Sequence, residues 1–285
     1  MSISHLRRVR SYEDDPYSLP AAYRLYRQPL WAMDLTNAQM QMAFFPSLQP
    51  FIDRGLLLAT LQQESLLESI EVLGPHRWAA QLSAGILTLT STAPVSLHHR
   101  APSIVCRMQL LASLSPAAQS LLWGWAHPQG KPDGVLRQLR ETGERDRIPD
   151  LLGKELRFPP GFDDHDDAAV AALTHEIGTA AAGILGLGPY YSASTGAGGS
   201  RILFLIEATE PPLQPVTLRK AVAKLPRLAA DLDLHDPRKA VTFLAESQGW
   251  AIAPTSTGLR IADAATTAEI HFDALGRISN VQSTM

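Results

Sequence analysis

The strongest constraint on this chain's fold is a change of period at Gly74-Pro75. Before it, Asn37 to Ile70 carries apolar residues, among them Leu57, Leu61 and Ile70, at helical spacing, with interruptions expected near Pro46, Pro50 and Gly55. From His76 onward, apolar positions recur every second residue, in short runs divided by turn residues. Five runs follow: Arg77 to Leu82, Ile86 to Thr90, Val95 to His99, Ser103 to Leu114 and Gln119 to Ala126. Their connections are short enough for hairpins, so they predict an antiparallel β-sheet meander covered by helices, an α+β fold.

Alternation assigns the faces. Ile104, Cys106, Met108 and Leu110 share one face of the fourth run. Leu121, Trp123 and Trp125 share one face of the fifth, which makes that face rich in aromatics. Asp133 is placed to cap a helix through about Arg145, stopped by Pro149, with Val135, Leu136 and Leu139 on its apolar side. A longer helix, Asp166 to Leu185, carries Val170, Leu173, Ile177 and Ile184 as a stripe. Two further strands are expected at Tyr190 to Ala193 and Arg201 to Ala208.

Pro211, Pro212 and Pro215 stiffen the segment from Thr209 to Pro215 and mark a boundary. Beyond it, a helix is expected from Val216 to Leu232 with a break at Pro226. The next has Asp236 as N-cap, Pro237 in its first turn and Gly249 after its last. Strands at Trp250 to Ala253, Leu259 to Ile261, Ala268 to Phe272 and Arg277 to Val281 finish a small C-terminal helix-plus-β lobe. The expected organisation is a helical segment over 1–75, a central α+β domain over 76–209 and the lobe over 210–285.

Composition narrows the function classes. At 285 residues, 45% of them apolar and 19% charged, the chain can bury a sizeable core. A net charge of −3 gives nucleic acid no general attraction, and the basic run from His5 to Arg10 is answered by Glu13, Asp14 and Asp15. The single cysteine, Cys106, excludes an internal disulfide and fits a reducing, cytoplasmic compartment. No apolar leader follows the N-terminal arginines. Trp78 to Leu97 and Met108 to Gly130 carry no formal charge, but their period and their Pro, Gly, Ser and Thr residues suit strands rather than membrane spans.

The order Leu122-Trp123-Gly124-Trp125-Ala126-His127-Pro128, then Gly143-Glu144-Arg145 before Ile148, then Tyr190-Tyr191 before a glycine-rich turn, resembles an uncharacterised bacterial domain family. That family's hallmark is a strand reading W-x-W-A-N-P, and the likeness runs over roughly residues 61–207. His127 stands where the family has asparagine. The resemblance implies a bacterial origin and an α+β fold. It brings no assigned reaction and transfers no catalytic residue.

The residues themselves offer several candidates. Trp123 and Trp125, with Tyr190 and Tyr191, are either packed core or contacts for a planar ligand or a protein partner. His127, at a strand end beside Pro128, is the histidine best placed to act as acid, base or ligand, although nothing nearby in sequence completes it. Asp163, Asp164, His165 and Asp166, followed by Asp167, are ligand types for a divalent cation, but their spacing fits no EF-hand and suits helix capping. His175-Glu176 lacks the second histidine of a zinc-protease motif, since position 179 is threonine. His98 and His99 should point to opposite faces of a strand, and the clusters Gly183 to Gly188 and Gly196 to Gly199 read as turns rather than phosphate loops.

No cofactor is expected. Three functional readings follow, headed by a non-enzymatic protein-interaction module of immunity or regulatory type, with a protein partner. The second is a small-ligand binder whose pocket lies on the Trp-rich sheet face, and the third a hydrolase or lyase using His127 with a distant carboxylate.

Overall fold

A computed structural model describes residues 44–94, 100–163, 166–195 and 199–284. The strand expected at Val95 to His99 lies outside the described residues, as do Asp164, His165 and most of the second glycine cluster. A 3-10 turn, Pro46–Leu48, leads into α1, Gln49–Leu73. This helix passes through two of the three positions where interruptions were expected, Pro50 and Gly55, while Pro46 lies in the turn before it. Pro50 lies in its first turn, where the missing N–H would have had no helical acceptor. Gly55 marks a close helix crossing instead of a break, because a Cβ there would lie 2.5 Å from the Gly183 Cα.

The fold is α+β, built on a curled antiparallel sheet. β1 (His76–Gln81), β2 (Ile86–Ser91), β3 (Ser103–Ser115), β4 (Ser120–Trp123) and β5 (Glu155–Arg157) follow one another in meander order. β6 (Tyr190–Ser194) and β7 (Arg201–Glu210) complete the seven strands seen among the described residues, with β7 paired along the other edge of β3. β3 is shared lengthwise: its first half pairs with β2 from Ser103 to Arg107, its second with β4 from Ala112 to Ser115. Its ladder with β7 shifts register between Arg107 and Met108 and again between Leu110 and Ala112. Such irregularities bend a strand and break its alternation. The even-numbered positions therefore change cores along the strand: Met108 and Leu110 enter one apolar cluster, Ala112 and Leu114 the other, which Leu111 shares.

The helices between the strands are α2 (Gly134–Asp146), α3 (Pro149–Leu152) and α4 (Asp167–Leu185). Asp166 caps α4 by accepting from Ala168 N–H. Asp133 precedes α2 without a side-chain cap, and Leu136 N–H is taken by Gln109 Oε1. Val170, Leu173 and Ile177 of α4 pack with Leu111, Leu121 and Trp123. α4 is long and apolar enough to cross a membrane, with 67% of that stretch buried inside the protein.

The C-terminal lobe contains α5 (Leu218–Asp231), α6 (Pro237–Ser247) and a four-stranded meander of β8 (Ala251–Pro254), β9 (Gly258–Ala262), β10 (Thr267–Phe272) and β11 (Ile278–Thr284). α5 does not break at Pro226 as expected. The proline sits on the exposed side, while Leu218, Ala221, Val222, Leu225 and Leu228 are buried on both sides of it and hold the two halves in one line. Leu57, Leu58 and Leu61 of α1 join this lobe's core, so α1 contributes to all three apolar clusters. A helix that is apolar on nearly every side is one surrounded by protein. Beside these leucines, Glu64 is 5% exposed and receives Lys224 Nζ at 2.7 Å and the Arg227 guanidinium, both from α5.

Candidate functional site

The aromatic segment is a turn, not the continuous strand that alternation suggested. β4 ends at Trp123, where Gly124 N–H donates to Leu111 O, and Ala126 and His127 N–H both return to Trp123 O. Only glycine fits at 124 and 130: a Cβ would lie 1.7 Å from Leu110 O at the first and 1.8 Å from Gly124 O at the second. This reversal stacks the Trp125 ring on Trp123, centroids 4.8 Å apart and planes 11° apart. Trp123 is 1% exposed and its Nε1 donates to Asp150 O at 3.0 Å, whereas Trp125 is half-buried.

His127 closes the turn. Its Nδ1 accepts from Gln129 N–H at 3.1 Å, and burial holds its pKa below the usual histidine value. An asparagine Oδ1 makes the same bond to the N–H two residues on, so the two residue types are interchangeable in this role. We expect His127→Asn to change stability by less than about 0.5 kcal/mol and His127→Ala to cost about 1 kcal/mol, measured by urea unfolding. Equal losses in both variants would show that this bond is not what the ring supplies.

Carboxylates gather under the same turn. Asp150, whose carbonyl holds Trp123, accepts from Ser47 Oγ at 2.6 Å and Ser47 N–H at 3.3 Å. Glu176 of α4 accepts from Phe44 N–H at 3.0 Å and Phe45 N–H at 3.2 Å. Burial pushes the Glu176 carboxyl up to about 7, opposed by those two N–H donors and reinforced by the Asp150 charge. Phe44 meets Phe162 edge to face at 5.3 Å, and Phe162 meets Phe158 at 4.9 Å. The first described residues are thus held by two acids and an aromatic cluster.

A second polar cluster lies between α4 and β6. His175 Nδ1 and Thr179 Oγ1 lie 3.2 and 3.3 Å from Tyr190 Oη, and Gln63 Oε1 accepts from Tyr190 N–H at 2.9 Å. The spacing of four that failed as a zinc motif puts His175 and Thr179 on one helix face, where they meet a tyrosine hydroxyl. His175 is 5% exposed, and burial, with the Arg201 charge, pushes its pKa down to about 3. Arg201 Nε donates to Ser192 Oγ at 3.0 Å.

Of the sequence candidates, the structure brings Trp123, Trp125 and Tyr190 into one apolar cluster and sends Tyr191 into another, on the opposite face of β6. Trp125 and His127 retain partial exposure; Trp123, Tyr190 and Tyr191 are buried. Among the described residues, no three His, Cys, Asp or Glu side chains converge to hold a metal. Asp150 and Ser47 carried no sequence signal, and Glu176 was noted only beside His175 in the refused zinc motif; the hydrogen-bonding partners of the two acids lie 103 to 132 residues away.

The sequence model of a family of unknown function (DUF6882) matches residues 49–209, from the first residue of α1 nearly to the end of β7. No curated protein and no solved structure matches the chain.

Proposed function

The chain belongs to this family of unknown function, and from that premise we propose that it is a non-enzymatic protein-interaction module of immunity or regulatory type, acting in the bacterial cytoplasm. One observation supports the reading above others: β1 is an edge strand that pairs with β2 alone among the described residues. Thr92 N–H donates to Pro75 O, which fixes the phase of the ladder. Alternation then turns the backbone groups of Arg77, Ala79 and Gln81 toward β2 and those of His76, Trp78 and Ala80 outward. An extended partner segment can add along this edge at Trp78 and Ala80, whose N–H and C=O groups face away from β2. The buried thiol of Cys106, pushed up to about 12 by burial, fits a reducing compartment. The ligand-pocket and hydrolase readings draw less support, because Trp123 is engaged by Asp150 and Trp125, and His127 by Gln129.

Native mass spectrometry of protein purified gently from its own host tests this. The expected result is a stoichiometric protein partner that is lost with Ala80→Pro, which deletes an outward N–H while leaving the β1–β2 bonds intact. A retained small molecule in place of a protein, or a partner indifferent to Ala80→Pro, would overturn the edge-strand reading.

A further inference from the structure

Among the described residues, the outer edge of β1 is the least protected of the sheet edges. At the other ends of the large sheet, β5 is three residues long, and β6 gives its outward Tyr190 N–H to Gln63 Oε1. In the lobe, β8 ends in Pro254, and the ladder between β10 and β11 shifts register after His271. Short strands, prolines, bulges and covered donors keep sheet edges from adding to one another. β1 shows none of these: His76-Arg77-Trp78-Ala79-Ala80-Gln81 pairs with β2 in unbroken register and contains no proline.

What such an edge accepts depends on the side chains beside it, and those of β1 complement their own reversal. We propose that the partner at this edge is a second copy of the chain, an assignment that rests on the edge-strand reading above. The two β1 strands lie antiparallel about a two-fold axis at Ala79, and the sheet runs on from one molecule into the other. In that register Trp78 and Ala80 of one copy exchange N–H to C=O bonds with Ala80 and Trp78 of the other, the same groups that face away from β2.

The side chains fit on both faces. On the core side the large Trp78 ring, half-buried against the cluster of Leu67, Leu87 and Ile104, lies beside the small Ala80 of the second copy. On the open face Ala79 meets itself, so the closest cross-strand spacing falls on the smallest side chain, and the exposed Arg77 guanidinium meets the side-chain carbonyl of Gln81. Neighbouring registers fit less well. An axis at Arg77 opposes like charges, one at Trp78 sets indole against indole and leaves Arg77 opposite Ala79, and one at Ala80 runs Arg77 and Trp78 past the end of the strand.

Cysteine cross-linking of the full chain tests the axis. The native thiol, Cys106, is fully buried and takes no part. Directly opposed residues of a non-hydrogen-bonded antiparallel pair have Cα atoms about 4.5 Å apart, within disulfide range. Under mild oxidation Ala79→Cys should become a covalent dimer of twice 31.0 kDa, while Thr88→Cys, one strand in on the same face, stays monomeric. Without oxidant, sedimentation should show a dimer whose dissociation constant falls roughly 2- to 30-fold with Gln81→Glu, which gives each Arg77 a carboxylate, and rises by a similar factor with Gln81→Lys. Wild type that sediments as a monomer up to its solubility limit, or Ala79→Cys that links no faster than Thr88→Cys, would overturn the second copy as occupant. The edge-strand reading would survive that result if a different protein were retained and then lost with Ala80→Pro, and would fall with it if the strand accepted nothing.

Discussion

Gly183→Ala should lower stability by at least about 3 kcal/mol, a fall in Tm of roughly 6 to 12 °C for a chain of this size. The added methyl would stand 1.9 Å from Phe51 O and 3.2 Å from the Gly55 Cα, so its obstacles are backbone atoms that cannot rotate away. α1 and α4 would have to separate, and the 2.6 Å bond from Arg54 Nε to Gly183 O would go with them. Arg54 also lies over the rings of Phe51 and Phe243, at 4.8 and 4.9 Å, so the disturbance would reach α6. Gly55→Ala meets the same crossing from the other side, 2.6 Å from Gly183 N and 3.0 Å from Thr179 O. Once one alanine has parted the helices, the second has less to displace, so the double variant should lose clearly less than the sum of the singles. Calorimetry on the three variants checks both statements. A loss under 1 kcal/mol for Gly183→Ala would mean that the helices do not cross this closely.

His175→Gln should become relatively more stable than wild type as the pH falls, by roughly 2.7 kcal/mol between pH 7 and pH 4.5. Held near 3 by burial and by the Arg201 charge, the ring stays neutral in the folded protein while the unfolded chain takes up a proton below 6.5. Stability is therefore fully present above 6.5 and is lost toward 3, at about 1.4 kcal/mol for each pH unit. Glu176 has the opposite sign: its contribution is complete below 4.5 and disappears as the pH rises to about 7. The two nearly cancel between 4.5 and 6.5, which predicts a flat shoulder in wild type and a steep fall below it. Asp146, Asp263 and Asp273, held below the usual carboxylate range chiefly by hydrogen bonds, act alike in wild type and variant and drop out of the difference. Guanidinium unfolding at several pH values measures the divergence. Parallel profiles would mean that the native ring is already protonated from solvent.

The sequence carried local information faithfully and long-range information hardly at all. The meander and the caps at Asp166 and Asp236 were legible because strand alternation and capping act over a few residues. Gly55 and Pro226 were misread for a related reason: local propensity makes each a breaker, and tertiary packing overrode it at both. Trp125 was assigned to a strand because alternation gives no warning that Gly124 N–H will turn back to Leu111 O. The spacing of His175 and Thr179 was visible and correctly refused as a zinc site, but nothing in it pointed to Tyr190. The contacts of Glu176 and Asp150 were invisible because an acid on an apolar helix does not reveal partners more than a hundred residues away.

The participation of α1 in all three cores bears on how such a chain is inherited. The family match ends at 209, short of the lobe that covers Leu57, Leu58 and Leu61, so the matched stretch does not by itself bury those leucines. A descendant that kept only the matched stretch would have to rewrite those three positions in polar residues or recruit another surface to shield them. Here the shield is the chain's own C-terminal lobe, and Glu64, with Lys224 and Arg227, ties α1 to it.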